Sequence, residues 1–122
     1  MKKTVLVIAL FFLIANLALA AQMSVPKTIT VKGIIIDNMC AIENKNNLSN
    51  FIETHDKDCA LMSHCAASGF SLYRDGRLME FDKESNSRIL KFIKTTDSSM
   101  NVEVTVKRSG KKWNLLRIIK RP

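Results

Sequence analysis

A chain of 122 residues that opens on an export signal leaves about 102 residues for the mature protein, one domain with a modest core rather than a multidomain assembly. Its formal charge of +8, of which Lys2 and Lys3 contribute two, leaves +6 after the signal and favours anionic partners over cationic ones. Three cysteines in an exported chain cannot all pair within one molecule, so at least one is spare, metal-bound or shared with a partner.

Residues 1–20 have the three parts of a secretory signal. Lys2 and Lys3 form the positive start, residues 5–19 are apolar except for Asn16, and Ala18-Leu19-Ala20 supplies small residues for cleavage. The apolar run of about 15 positions is shorter than the roughly 20 that span a bilayer. The expected product is periplasmic or secreted, not membrane-spanning, and begins near Ala21. Nucleic acid is disfavoured as a partner by that compartment.

Residues 21–27, with Pro26, read as an extended leader to a single domain over 28–122. Residues 28–36 alternate β-branched and polar side chains and form a strand, in which Gly33 suggests a bulge or sharp bend. Ile34-Ile35-Ile36 is apolar on both faces, so that part of the strand is covered on both sides. A polar loop with four asparagines follows. Leu48, Phe51 and Ile52 suit one turn of helix, and Asp56 or Asp58 caps a second that runs through Cys59 and Met62 until Gly69 ends it.

Residues 70–73 and 78–81 flank Asp75-Gly76 and form a hairpin with a tight turn. Ser85 or Ser87 caps a helix with Ile89, Leu90 and Ile93 on one face, while Glu80, Asp82 and Glu84 read as a solvated turn. Residues 100–107 alternate cleanly through Val102, Val104 and Val106, and Ser109-Gly110-Lys111 turns the chain into a last strand over 113–119. The predicted class is mainly β with α+β character. It is an OB-like five-stranded barrel, with a helix between strands 3 and 4 and a cysteine-bearing helical insertion between strands 1 and 2.

The run Gly33-x-x-x-Asp37-x-x-Cys40, then His55-x-x-x-Cys59-x-x-Met62-x-x-Cys65-x-x-x-Gly69, then Asp75-Gly76 and Phe81-Asp82, resembles a family of small exported bacterial proteins. The likeness spans residues 28–119, and its specific part is the spacing of His, Cys, Met and Cys. It implies an exported OB-like domain with a repeated cysteine pattern and supplies no activity to transfer.

Two readings of the cluster compete. A disulfide from Cys40 to Cys59 or Cys65 would restrict the unfolded chain, worth roughly 3 kcal/mol. On a continuous helix Cys59 and Cys65 lie about 9 Å apart, beyond bridging reach, which makes Cys40 one partner. Alternatively, His55, Cys59 and Met62 share one helical face, and with Cys40 and Cys65 they form a donor set suited to copper or zinc. Met62 beside Leu61 also reads as core packing, and His55 beside Asp56 and Asp58 as a solvated loop residue. His64 points away from the set.

No catalytic residues are assigned. Cys-x-x-Cys, a haem-attachment motif and a phosphate loop are all absent, and no enzyme activity is expected. Tyr73, Arg74 and Arg77 mark a weaker ligand face on the hairpin. The expected function is a small exported binding domain, with soft-metal binding through Cys40, His55, Cys59, Met62 and Cys65. The alternative is a disulfide-stabilised module that recognises an anionic surface or a protein partner.

Overall fold

The computed structural model describes residues 25–122. The expected signal over 1–20 and the first part of the leader lie outside the described residues.

Five antiparallel strands form one sheet in the order β3-β2-β1-β4-β5. They are β1 (Thr28–Asp37), β2 (Phe70–Arg74), β3 (Arg77–Glu80), β4 (Asn101–Ser109) and β5 (Lys112–Lys120). Four short helices connect β1 to β2: α1 (Asn38–Glu43), α2 (Leu48–Thr54), α3 (Lys57–Ala60) and α4 (Ser63–Ala67). A longer one, α5 (Lys83–Lys94), connects β3 to β4. The helical insertion and the later helix therefore sit where the sequence puts them. The sheet does not close: among the described residues the backbone link between its two ends is one isolated parallel bridge from Phe81, just past β3, to Trp113 of β5.

The first strand serves two neighbours. Thr28 to Ile34 pair with β4, and Ile34 to Asp37 pair with β2. Gly33 sits at the handover without a bulge. A Cβ there would lie 2.5 Å from the Tyr73 carbonyl oxygen, so only glycine lets the two strands come together. The bulge lies instead in the β4–β5 ladder between Thr105 and Val106.

The alternation along β1 divides the apolar residues into two cores. Ile35 joins Phe70, Leu72, Phe81, Ile89, Ile93, Leu115 and the three valines of β4 in the main core, all without solvent exposure. Ile34 and Ile36 face the other way, into a smaller cluster with Cys40, Ala41, Ile52 and Cys65. Burying one large aliphatic or aromatic side chain contributes about 1.5–3 kcal/mol. The main core therefore carries most of the fold, and the second core holds the insertion against it.

Asp75 and Gly76 both have positive φ (49° and 75°), as the two-residue hairpin turn demands. The cap of α5 differs from expectation. Asp82 occupies it, its Oδ1 accepting from the Ser85 N–H at 2.9 Å and its Oδ2 from Asn114 at 3.0 Å. Ser85 is unavailable because it is buried, with its hydroxyl accepting the Leu115 N–H at 2.7 Å. Arg88 completes the clamp by donating to the carbonyls of Leu115 and Leu116 beside the β5 bulge. Asp82 is thus a half-buried structural group rather than part of a solvated turn.

Candidate metal centre

Each of the three cysteines occupies the third residue of a short helix. Asp37 caps α1, and its Oδ1 accepts the Cys40 N–H at 2.9 Å. Asp56 caps α3 and accepts the Cys59 N–H at 2.8 Å. Met62 stands at the start of α4, three residues before Cys65. An Asp-x-x-Cys step thus occurs twice, each time with the carboxylate fixing the backbone that carries the thiol.

The segment from His55 to Cys65 is not one helix. His55 ends α2 in an extended conformation, the Asp56 cap starts α3, and Met62 (φ −57°, ψ 138°) separates α3 from α4. A shared helical face therefore does not assemble the donors; tertiary packing does. The 9 Å spacing expected along a continuous helix between Cys59 and Cys65 lapses for the same reason.

Packing brings Cys40, His55 and Cys59 together, with one ligand atom from each lying within 4.8 Å of the others. Asp37, Cys40 and Cys65 form a second such group, which makes Cys40 common to both. Cys40, His55 and Cys65 are buried, and Cys59 reaches solvent in part. All three cysteines are free thiols, and the sulfurs of Cys40 and Cys59 stand 3.8 Å apart, against about 2.05 Å in a disulfide. That separation matches two thiolates on one tetrahedral zinc, where bonds of about 2.3 Å put the sulfurs about 3.8 Å apart.

Asp37 is the residue the sequence reading did not assign a role. Its side chain is fully buried, and its Oδ2 lies 2.8 Å from Nε2 of His55. Burial pushes its carboxyl up, but the hydrogen bonds from His55 and the Cys40 N–H outweigh this and hold it below its ordinary value. A carboxylate accepts only, so Nε2 of His55 donates to it, and in the neutral imidazole Nδ1 is then the nitrogen that keeps its lone pair. Nδ1 is buried and has no hydrogen-bond partner among the described residues. Leaving such an atom unpaired costs about 1–3 kcal/mol. A carboxylate holding one imidazole nitrogen so that the other is free is the arrangement that orients metal-ligating histidines.

Burial first, then the neighbouring Asp37 carboxylate, pushes the thiols of Cys40 and Cys65 above the ordinary cysteine range. These two are therefore poor nucleophiles. A bound cation reverses this balance, because it replaces the proton on sulfur with a charge that the Asp37 carboxylate attracts.

Met62 is 50% exposed and belongs to neither core, so packing does not account for it. His55 is 6% exposed and packs on Phe51, unlike a solvated loop residue. His64 is exposed. Of the hairpin residues, Tyr73 packs against the second core on the cysteine side, whereas Arg74 and Arg77 line a groove elsewhere. Asp37 was detectable from its place as an acidic residue at the end of an apolar strand, three residues before a cysteine. No family model, curated protein or solved structure matches the chain.

Proposed function

We propose that the chain is an exported domain that binds a soft metal ion, Zn²⁺ or Cu(I), through Cys40, His55 and Cys59. Cys65 is the reserve donor beside Cys40, and Asp37 orients the histidine. The observation that carries this reading is the buried, unpartnered Nδ1 of His55, anchored through Nε2 to Asp37 and grouped with two sulfurs 3.8 Å apart. Thiolate and imidazole donors of this kind suit zinc in a tetrahedral site and copper in its reduced state. The half-exposed Met62 is an auxiliary copper donor in this reading.

The scaffold is read as a partly open OB-type barrel. Its support is the strand order, the double pairing of β1 and the parallel Phe81–Trp113 contact between the outermost strands. Membership of the small exported bacterial family, with its Cys/His/Met spacing, belongs to the same proposal.

The test is native mass spectrometry of the reduced chain after incubation with zinc and, separately, with Cu(I) under anaerobic conditions. One equivalent held against a chelator, and lost in a Cys40→Ala, Cys59→Ala double variant, is the expected result. Retention of no metal by the reduced chain overturns the proposal.

A second reading rests on the proximity of Cys40 to Cys59. In an oxidising compartment the same pair forms a structural disulfide once the sulfurs approach by about 1.8 Å. A mass two units below that of the reduced chain, with one alkylatable thiol after denaturation and no metal, would identify that form.

A further inference from the structure

On the side of the sheet where β3 and β5 part, the fold leaves a groove of about 850 Å³. The two strands touch at the Phe81–Trp113 bridge, where the Asp82 N–H donates to the Trp113 carbonyl at 2.9 Å, and Lys112 reaches Glu80 at 2.9 Å. Beyond that point each strand keeps a partner on one side only. β3 pairs with β2, β5 pairs with β4, and their facing edges have no further ladder between them. An unpaired strand edge carries a row of backbone donors and acceptors that another extended chain satisfies.

The groove's chemistry narrows what lies along that edge. Ile29, Val31, Met79 and Trp113 give it an apolar lining. Its two carboxylates are already engaged, Asp75 by Arg74 at 3.0 Å and Glu80 by Lys112. Arg77, Arg108 and Lys111 line it with no carboxylate partner among the described residues. Arg108 lies 4.4 Å over the Trp113 ring and so occupies one face of the chain's sole tryptophan. That leaves no ladder of open aromatic faces on which bases or sugars stack. A free strand edge, an apolar lining and a surplus of cations together complement an extended, acidic polypeptide.

We propose that this groove binds an acidic extended segment of a protein partner. The segment adds backbone hydrogen bonds to the outer edge of β3 and sets alternate carboxylates against Arg77, Arg108 and Lys111. Leu78, 44% exposed on the same strand, gives one of its apolar side chains a contact. The proposal is independent of the metal site, which lies against the second core.

The probe is a fluorescent eight-residue peptide of alternating Glu and Val, followed by its anisotropy and by the emission of Trp113. Saturable binding is expected, weakening about tenfold in each of Arg77→Glu and Lys111→Glu, and falling as salt screens the charges. A Lys-for-Glu peptide is expected not to bind. A peptide N-methylated at alternate residues along the edge-facing side is expected to bind at least tenfold more weakly. Both substituted residues are exposed, so circular dichroism should confirm an unchanged fold. Absence of saturable binding overturns the proposal. So does equal affinity for the N-methylated peptide, for a heparin oligosaccharide or for polyphosphate, since each outcome reduces the groove to a general anion surface.

Discussion

Asp37 and His55 are joined at 2.8 Å through Oδ2 and Nε2, with both side chains fully shielded from solvent, although they lie 18 positions apart in the chain. The same carboxylate caps α1 through its other oxygen. One buried acid thus sets the backbone of Cys40 and the tautomer of His55 together.

Asp37→Asn tests that coupling. The amide oxygen still caps α1, but the amide NH₂ then faces Nε2 and donates to it. The imidazole proton moves to Nδ1 and removes the lone pair available to a metal. Zinc affinity is expected to fall about 10–100-fold, as for other partners of ligating histidines. Competition against a chelator measures it, and affinity equal to that of the parent chain would rule out the orienting role.

The cysteines should rank by their place in the two donor groups. Cys40→Ala should cost most affinity, because Cys40 belongs to both groups, followed by Cys59→Ala and then Cys65→Ala. Cys40 and Cys65 are both buried in the second core, so their alanine variants lose comparable packing. A difference in metal affinity between them therefore reports ligation. Met62→Leu, nearly conserved in volume, should leave stability unchanged to within about 1.5 kcal/mol and alter only copper binding. In the metal-free chain Cys59, the one partly exposed thiol, should alkylate first.

Alkaline pH should destabilise the metal-free protein. The folded pKa values of Cys40 and Cys65 lie above those of the unfolded chain, so the native state keeps protons that the unfolded state begins to release near pH ~8.5. The contribution is complete below that pH and is lost as pH rises toward the folded values. Metal loading should reverse the trend, because ligation requires the deprotonated thiols. Denaturant midpoints between pH 7 and 10, with and without zinc, measure both slopes. A metal-free midpoint that rises with pH would contradict the assignment.

The sheet is legible in the sequence because its signals are local. Val102, Val104 and Val106 alternate, Asp75-Gly76 marks its turn, and Ile34-Ile35-Ile36 announces a strand covered on both faces. The donor residues are legible as types but not as an arrangement. The helices that carry the cysteines have four to six residues, too short for a 3.6-residue period to be told from a turn. The pairing of Asp37 with His55 depends on where α2 ends relative to β1, which no local pattern encodes. Ser85 misleads as a cap for a related reason. Its hydroxyl is committed to Leu115, 30 residues away, and Asp82 is left to cap the helix.

Asp82 gives the acid side of the stability profile. Burial raises its carboxyl pKa, but the hydrogen bonds from Ser85 and Asn114 more than offset this and hold it below its ordinary value. A depressed folded pKa stabilises above the unfolded value of ~3.9, and the contribution disappears as pH falls through the folded value. Asp82→Ala should therefore cost about 1 kcal/mol at neutral pH, a typical capping loss. The gap between variant and parent should narrow as pH falls below the ordinary aspartate value and through the lowered folded one. A gap that persists undiminished in acid would show that packing, rather than the charged cap, carries the effect.

Gly33 ties the sheet to the candidate metal centre. A Cβ at this position would meet the Tyr73 carbonyl oxygen at 2.5 Å and Leu72 Cγ at 2.8 Å, and the first of these is backbone that cannot swing aside. Gly33→Ala must therefore push β2 away from β1 at the point where β1 passes from one partner to the other. Tyr73 packs against the cluster that contains Cys40 and touches Cys59, so the displacement reaches the thiols as well as the ladder. The expected cost is about 1–3 kcal/mol in stability, the usual range for overpacking, together with weaker zinc binding. Gly110→Ala is the control. It places a side chain at φ 61° in the β4–β5 turn with nothing within 4 Å, so its cost is confined to backbone strain and metal affinity should not change. If the two variants lose equal stability and both keep the parent's zinc affinity, the close approach of β1 and β2 does not position the site.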